Sequence, residues 1–225
     1  MKKSLLGLAL LSTFSFAPQA MAHEAGDILV RGGITMVQPD SGKTPILLAD
    51  ADSTMSLSVD DNYQLGLNLV YFFDSNWAVE VLAATPFTHD VTIHDPNSVL
   101  GVDGAKLAEV THLPPTVSAL YYFDTGSAFK PYIGAGINYT IFFNEEFEAA
   151  PKALGLSDLE LGGSFGYALQ VGADYEINDK WHVNASARYI DINSKAKFKV
   201  AGEDIGVAKI DVDPMVYSLM IGYKF

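Results

Sequence analysis

The end of the chain alternates strictly. Tyr217, Leu219, Ile221, Tyr223 and Phe225 take turns with Ser218, Met220, Gly222 and Lys224. A period of two puts the two sets on opposite faces of an extended strand. One face is apolar and aromatic throughout and the other is small or polar, so the strand must separate two unlike media. Few folds satisfy that demand along a whole chain.

The pattern recurs seven more times. Tyr63, Leu65, Leu67, Leu69, Tyr71 and Phe73 oppose Gln64, Gly66 and Asn68; Trp77, Val79, Val81, Ala83 and Phe87 oppose Glu80, Leu82 and Ala84. Val117, Ala119, Tyr121 and Phe123 oppose Thr116, Ser118 and Tyr122, and Ile133, Ala135, Ile137, Tyr139 and Ile141 oppose Gly134, Gly136, Asn138 and Thr140. Phe165 to Ile177 and Trp181 to Tyr189 alternate in the same way. The first segment is less regular, with Ile28, Val30, Ile34 and Met36 against Arg31 and Thr35. Eight strands of about ten residues match what membrane barrels require. Aromatic-rich strand ends followed by Asp74 and Asp124, and the related ends at Tyr175–Asp179 and Tyr223–Phe225, recur about every fifty residues, so four hairpin units form an up-and-down meander.

Connections alternate too. Residues 74–76, 124–128 and 178–180 read as tight turns, whereas 38–61, 88–113, 144–162 and 193–213 read as long loops. An eight-stranded interior is only wide enough for side chains or one small ligand. The bulky face therefore points outward into lipid, and the small, polar face points inward. Aromatic residues near strand ends supply the interfacial girdles, and closure leaves no unpaired edge in lipid. The expected fold is all-β, a transmembrane eight-stranded antiparallel up-and-down β-barrel.

The first residues agree with such a destination. Lys2 and Lys3, the apolar stretch Leu5–Ala17 and Ala20-Met21-Ala22 form a secretory signal peptide over residues 1–22, leaving 23–225 as the barrel. Without Lys2 and Lys3 the mature chain sets 12 basic against 27 acidic residues. That balance excludes nucleic acid as a partner, since phosphate contacts need Lys and Arg. There are no cysteines, so packing and backbone hydrogen bonds hold the fold.

Several stretches resemble the OmpW family of small outer-membrane proteins. They are His23-Glu24-Ala25-Gly26, Leu82-Ala83-Ala84-Thr85-Pro86-Phe87, His112-Leu113-Pro114-Pro115-Thr116, the segment Pro131–Thr140, Gly155-Leu156-Ser157-Asp158, and Val212-Asp213-Pro214. The resemblance spans the mature chain. It implies a barrel in the bacterial outer membrane, with periplasmic termini, whose narrow and largely apolar channel takes small hydrophobic molecules.

Among inward positions, Val70, Leu82, Leu120, Thr140, Phe142 and Met220 are expected to line a dry upper lumen. Arg31, Glu80, Asp174, Glu176, His182 and Lys224 are expected lower down as a charged plug, because opposite charges in so narrow a tube must pair. Arg188, the candidate gate, stands where the resemblance leads one to expect a large aromatic, a departure that tells against a simple greasy gate formed by that residue with Leu82. Pro86, Pro114 and Pro115 remove ladder hydrogen bonds near the outer ends of adjacent strands, so the wall is expected to part there. A hydrophobic solute would then enter between the loops, pass Leu82 and Leu120, and leave sideways into the bilayer. Tyr217, Tyr223 and the terminal Phe225 resemble the strand read by the barrel assembly machinery.

The alternative is a non-conducting structural or receptor barrel. Its acidic loops, such as Glu145-Glu146-Phe147-Glu148, would bind phage, bacteriocin, host factors or the cations associated with lipopolysaccharide. Catalysis is not expected: His89, His94 and His112 read as polar loop histidines, and no zinc-protease or nucleophile motif stands beside them. No metal or cofactor is expected.

Overall fold

A computed structural model describes residues 23–40, 44–48, 51–98 and 101–225. The proposed signal peptide, residues 1–22, lies outside the described residues. Along the chain run β1 (Ile28–Gln38), β2 (Thr44–Leu48), β3 (Ala51–Val59), β4 (Asn62–Phe72), β5 (Trp77–Ala84), β6 (Phe87–His94), β7 (Lys106–Leu113) and β8 (Thr116–Tyr122). There follow β9 (Phe129–Phe147), α1 (Ala149–Ala153), β10 (Leu156–Leu161), β11 (Ser164–Glu176), β12 (Trp181–Ile190), β13 (Asn193–Val200), β14 (Glu203–Asp211) and β15 (Met215–Lys224).

Eight of these strands make the barrel. The hydrogen-bonded order is β11-β12-β15-β1-β4-β5-β8-β9, and β9 pairs back onto β11 to close the ring, every contact antiparallel. The faces obey the alternation. Leu65, Leu219 and Phe165 are more than 60% exposed, whereas Arg31, Thr35 and Leu29 on the inward face of β1 are at most 1% exposed. In water so much exposed apolar surface would drive aggregation; in a bilayer it is the solvated face. Trp77, Tyr121, Phe123, Trp181, Tyr223 and Phe225 gather near the short turns, with Trp77 on Tyr121 and Trp181 on Tyr223 in edge-to-face pairs about 5 Å apart. Short turns mark the periplasmic end and longer connections the extracellular end.

Three expectations need correction. The long connections are not irregular loops: β2, β3, β6 and β7 continue the barrel sheet outward, with β6 pairing β3 and β7, and β7 pairing the long outer half of β9. A second sheet, β10-β13-β14, stands beside them. Ladders extended past the membrane satisfy backbone groups that a free loop would leave to water. Next, Phe87 faces inward at 1% exposure rather than outward. The strand breaks at Thr85-Pro86, and the break shifts the parity of the residues beyond it. Finally, Val70 and Leu120 are not in the upper lumen. Each lies four residues before a periplasmic turn, and they pack with Leu29, Phe72, Tyr122 and Tyr132 at that end. Alternation assigns a face, while height has to be counted from the turn.

Candidate functional site

The interior is built in layers. At the periplasmic end the apolar cluster just described is capped by His23, whose ring stacks on Phe72 at 4.0 Å and meets Tyr122 edge-on.

Above it lies a charged layer. The Arg31 guanidinium donates to Glu80 Oε2 at 3.2 Å, to Asp174 Oδ2 and to the Tyr122 hydroxyl at 2.5 Å, and to His182 Nε2 at 3.3 Å. Arg188 donates to Glu80 Oε1 and to Gln170 Oε1. Asn68 and Gln170 donate to Glu80, and Tyr122 and Asn184 donate to Asp174. Two arginines face two carboxylates, all at most 1% exposed. The cluster is formally neutral, which is what burial of charge requires. Its members come from β1, β4, β5, β8, β11 and β12. On β15, Gly222 leaves room for the His182 ring, which a Cβ there would meet at 2.0 Å.

The structure thus joins Arg31, Glu80, Asp174 and His182, and it adds Arg188 to them. The inward side chain of Arg188 reaches the Glu80 carboxylate on the facing wall. Lys224 instead lies 3.4 Å from Asp27, and Glu176 is half-buried at the periplasmic rim. Both sit too close to the turns to reach the central cluster.

Higher up, Thr35 shares a hydrogen bond with Ser218, and Thr140 donates to Asn138. Leu82, Thr140 and Met220 are buried. Then comes a second apolar layer of Val37, Phe87, Ala168, Ile190, Ile192 and Val216, with Phe142 against it. Beyond that layer the outer strands border two adjoining, open-sided cavities. The smaller, about 60 Å3, is bounded by His89, His112, Phe142, Val59 and Val212, among others. The larger, about 360 Å3, is lined by apolar groups such as Met55, Ile93, Leu107, Phe147 and Phe198. Both are bounded in part by Leu57, Val91, Val110, Leu161 and Ile210.

The wall beside this region is interrupted. Pairing of β5 with β8 ends at Leu82–Thr116, and pairing of β6 with β7 begins at Phe87–His112. Residues 83–86 and 113–115 have no partners across that seam, although each side remains bonded to its other neighbour: Thr85 donates to Leu65, and Tyr139 donates to Pro115. Pro86 is exposed, Pro114 buried and Pro115 half-buried. Nothing in the sequence singles out Asn68, Tyr122, Gln170 or Asn184 as members of the cluster. Their inward parity is the only signal. Nor does it reveal that His89 and His112 are buried, at 2% and 5% exposure, rather than set in an open loop. Among the described residues no group of three or more His, Asp or Glu has metal-binding geometry.

The sequence profile of the OmpW family matches residues 24–225. Outer membrane protein W of Vibrio cholerae is 43% identical over the whole of both chains, and that of Escherichia coli K12 is 42% identical over 99% of this chain and all of its own. The crystal structure of the outer membrane protein OprG from Pseudomonas aeruginosa superposes with a TM-score of 0.80 at 40% identity, covering 91% of this chain and 98% of that one.

Proposed function

The chain belongs to the OmpW family and is a bacterial outer-membrane barrel, and on that premise we propose that it carries small hydrophobic molecules from the cell surface into the bilayer by a lateral route, without catalysis. The observation that carries the proposal is the unpaired seam at 83–86 and 113–115, which adjoins the apolar interior at the level of Phe87 and Phe142. A solute taken into the 360 Å3 apolar cavity meets the Phe87–Ile190 layer and, beneath it, the charged cluster. Desolvating an apolar molecule against that cluster gains nothing, whereas the bilayer beside the seam offers an apolar medium. The sideways path is therefore favoured over a through-pore, and Leu82 at the lower lip of the seam is its threshold. Leu120 is not on the path, since it lies in the periplasmic cluster. The partners in this reading are the solute, the lipid and lipopolysaccharide around the barrel, and the assembly machinery acting on the strand that ends at Phe225.

Vesicles with a lipopolysaccharide outer leaflet test the route, because the sugar layer slows hydrophobic molecules that plain lipid admits. Arrival of N-phenyl-1-naphthylamine in the bilayer is expected to be faster with the protein than without it. Leu82→Trp, which fills the lip, is expected to return the rate most of the way to that of empty vesicles, while Leu82→Met leaves it high. Equal rates for Leu82→Trp and the unaltered protein would sink the lateral route.

A further inference from the structure

The inward face of the β6–β7 hairpin is apolar except at two positions. Phe87, Val91, Ile93, Ala108 and Val110 line it, and His89 and His112 interrupt it. The two imidazoles lie parallel, 9° apart with centroids at 5.0 Å, and Phe87 stacks on His112 at 5.6 Å and 21°. His89 Nδ1 lies 2.6 Å from the carbonyl oxygen of Asp60, to which it donates. That bond fixes the tautomer and leaves Nε2 as a lone-pair acceptor. Neither His89 Nε2 nor His112 Nε2, both buried, has a hydrogen-bond partner among the described residues. A buried polar atom without a partner is costly, and an Nε2 acceptor set in an apolar wall calls for a ligand that satisfies it. Both rings bound the smaller cavity, which shares its boundary with the larger apolar one.

We infer that the His89–His112 pair is a recognition subsite for small apolar molecules that carry one hydroxyl or N–H donor, the apolar body lodging in the larger cavity and the donor bonding to His89 Nε2. This rests on the transport reading above and names the solute class that the barrel selects. A cavity of about 150 Å3 with apolar walls is enough to hold a benzene ring, so the 360 Å3 space admits a substituted one. Burial keeps His89 uncharged near neutral pH by lowering its pKa, which preserves the acceptor.

The test compares p-cresol with p-xylene, which have the same shape and differ by a hydroxyl for a methyl. Binding is measured on the full barrel in lipid nanodiscs labelled with 15N-histidine, with empty nanodiscs correcting for partition. p-Cresol is expected to bind saturably, moving the Nε2 resonance of His89, and to bind about tenfold more tightly than p-xylene, the ratio expected for one added hydrogen bond. His89→Phe keeps a ring in place and is expected to erase the preference for p-cresol over p-xylene; His89→Gln, which retains an acceptor, is expected to keep part of it. If p-cresol saturates without moving the Nε2 resonance, or if His89→Phe retains the preference, the subsite is refuted. Such a result leaves the dye experiment untouched, so failure of the subsite and failure of the transport reading are separable.

Discussion

Replacing Glu80 by Met is expected to destabilise the barrel by about 3–5 kcal/mol, the cost of leaving buried charge without its partner. Glu80 is the carboxylate that both Arg31 and Arg188 share, and it also accepts from Asn68 and Gln170. Without it two guanidiniums face Asp174 alone, in a section of the barrel that water does not reach. The effect should be read by urea unfolding in phosphatidylcholine vesicles. Trp77 and Trp181, the only tryptophans, report it, because both lie half-exposed on the outer face and lose their lipid contact on unfolding. The double variant Glu80→Met/Arg188→Met restores formal neutrality, with Arg31 still paired to Asp174 at 2.5 Å. It is expected to recover most of the loss. If the single variant unfolds at the same urea concentration as the unaltered protein, the cluster is not a closed charge balance. If the double variant is as weak as the single one, hydrogen bonding rather than charge dominates there.

How far the sequence reaches is clearest along β1 and β5. Alternation places Arg31, Glu80 and Asp174 inward and Leu65, Leu219 and Phe165 outward, since parity is a local property of an extended chain. It does not reveal that Arg31 meets Asp174, 143 positions away, because that contact depends on register and strand tilt around the closed ring. Height is readable in principle: Val70 and Leu120 precede Asp74 and Asp124 by four residues each, which sets them at the periplasmic end. Carrying the alternation through Thr85-Pro86, where the ladder breaks, puts Phe87 on the wrong face. The prolines that mark the seam are legible for the complementary reason, as loss of an N–H donor is written in the residue itself. The outer strands escape notice because their alternation is short and weak in apolar residues, as where Thr88, Asp90 and Thr92 alternate with Phe87, His89, Val91 and Ile93. His89 and His112 are lost with them, since a histidine's meaning depends on whether its strand is recognised.

Acidification from pH 7 to pH 5 is expected to loosen the extracellular sheets while the membrane barrel stays closed. His112 lies on the extracellular extension among Phe87, Phe142 and His89, and burial together with the neighbouring imidazole holds its pKa down at about 3, against an ordinary 6.5. Burial lowers the pKa of His89 as well, although Asp60, Asp61 and Asp90 oppose the shift. A histidine whose pKa is lower when folded binds its proton more readily when unfolded. Its contribution is therefore fully present above pH 6.5 and shrinks as pH falls through the window from 6.5 to about 3. At pH 5 the change for His112 is roughly 2 kcal/mol, or about thirtyfold in the local opening equilibrium. Asp40 and Asp211 are the acidic groups at the edge of the same small cavity. Hydrogen exchange resolves the matter segment by segment. Protection factors in β6 and β7 are expected to fall between pH 7 and pH 5, those in β1, β4 and β12 to hold, and His112→Phe to flatten most of the response in β6 and β7. A fall of the same size in His112→Phe would place the acid response on the carboxylates of the outer surface and not on this pair. If the buried imidazoles do govern it, the groups proposed to recognise the solute's donor also set the pH below which the recognition site opens to water, since protonating an Nε2 both removes the acceptor and charges an apolar wall.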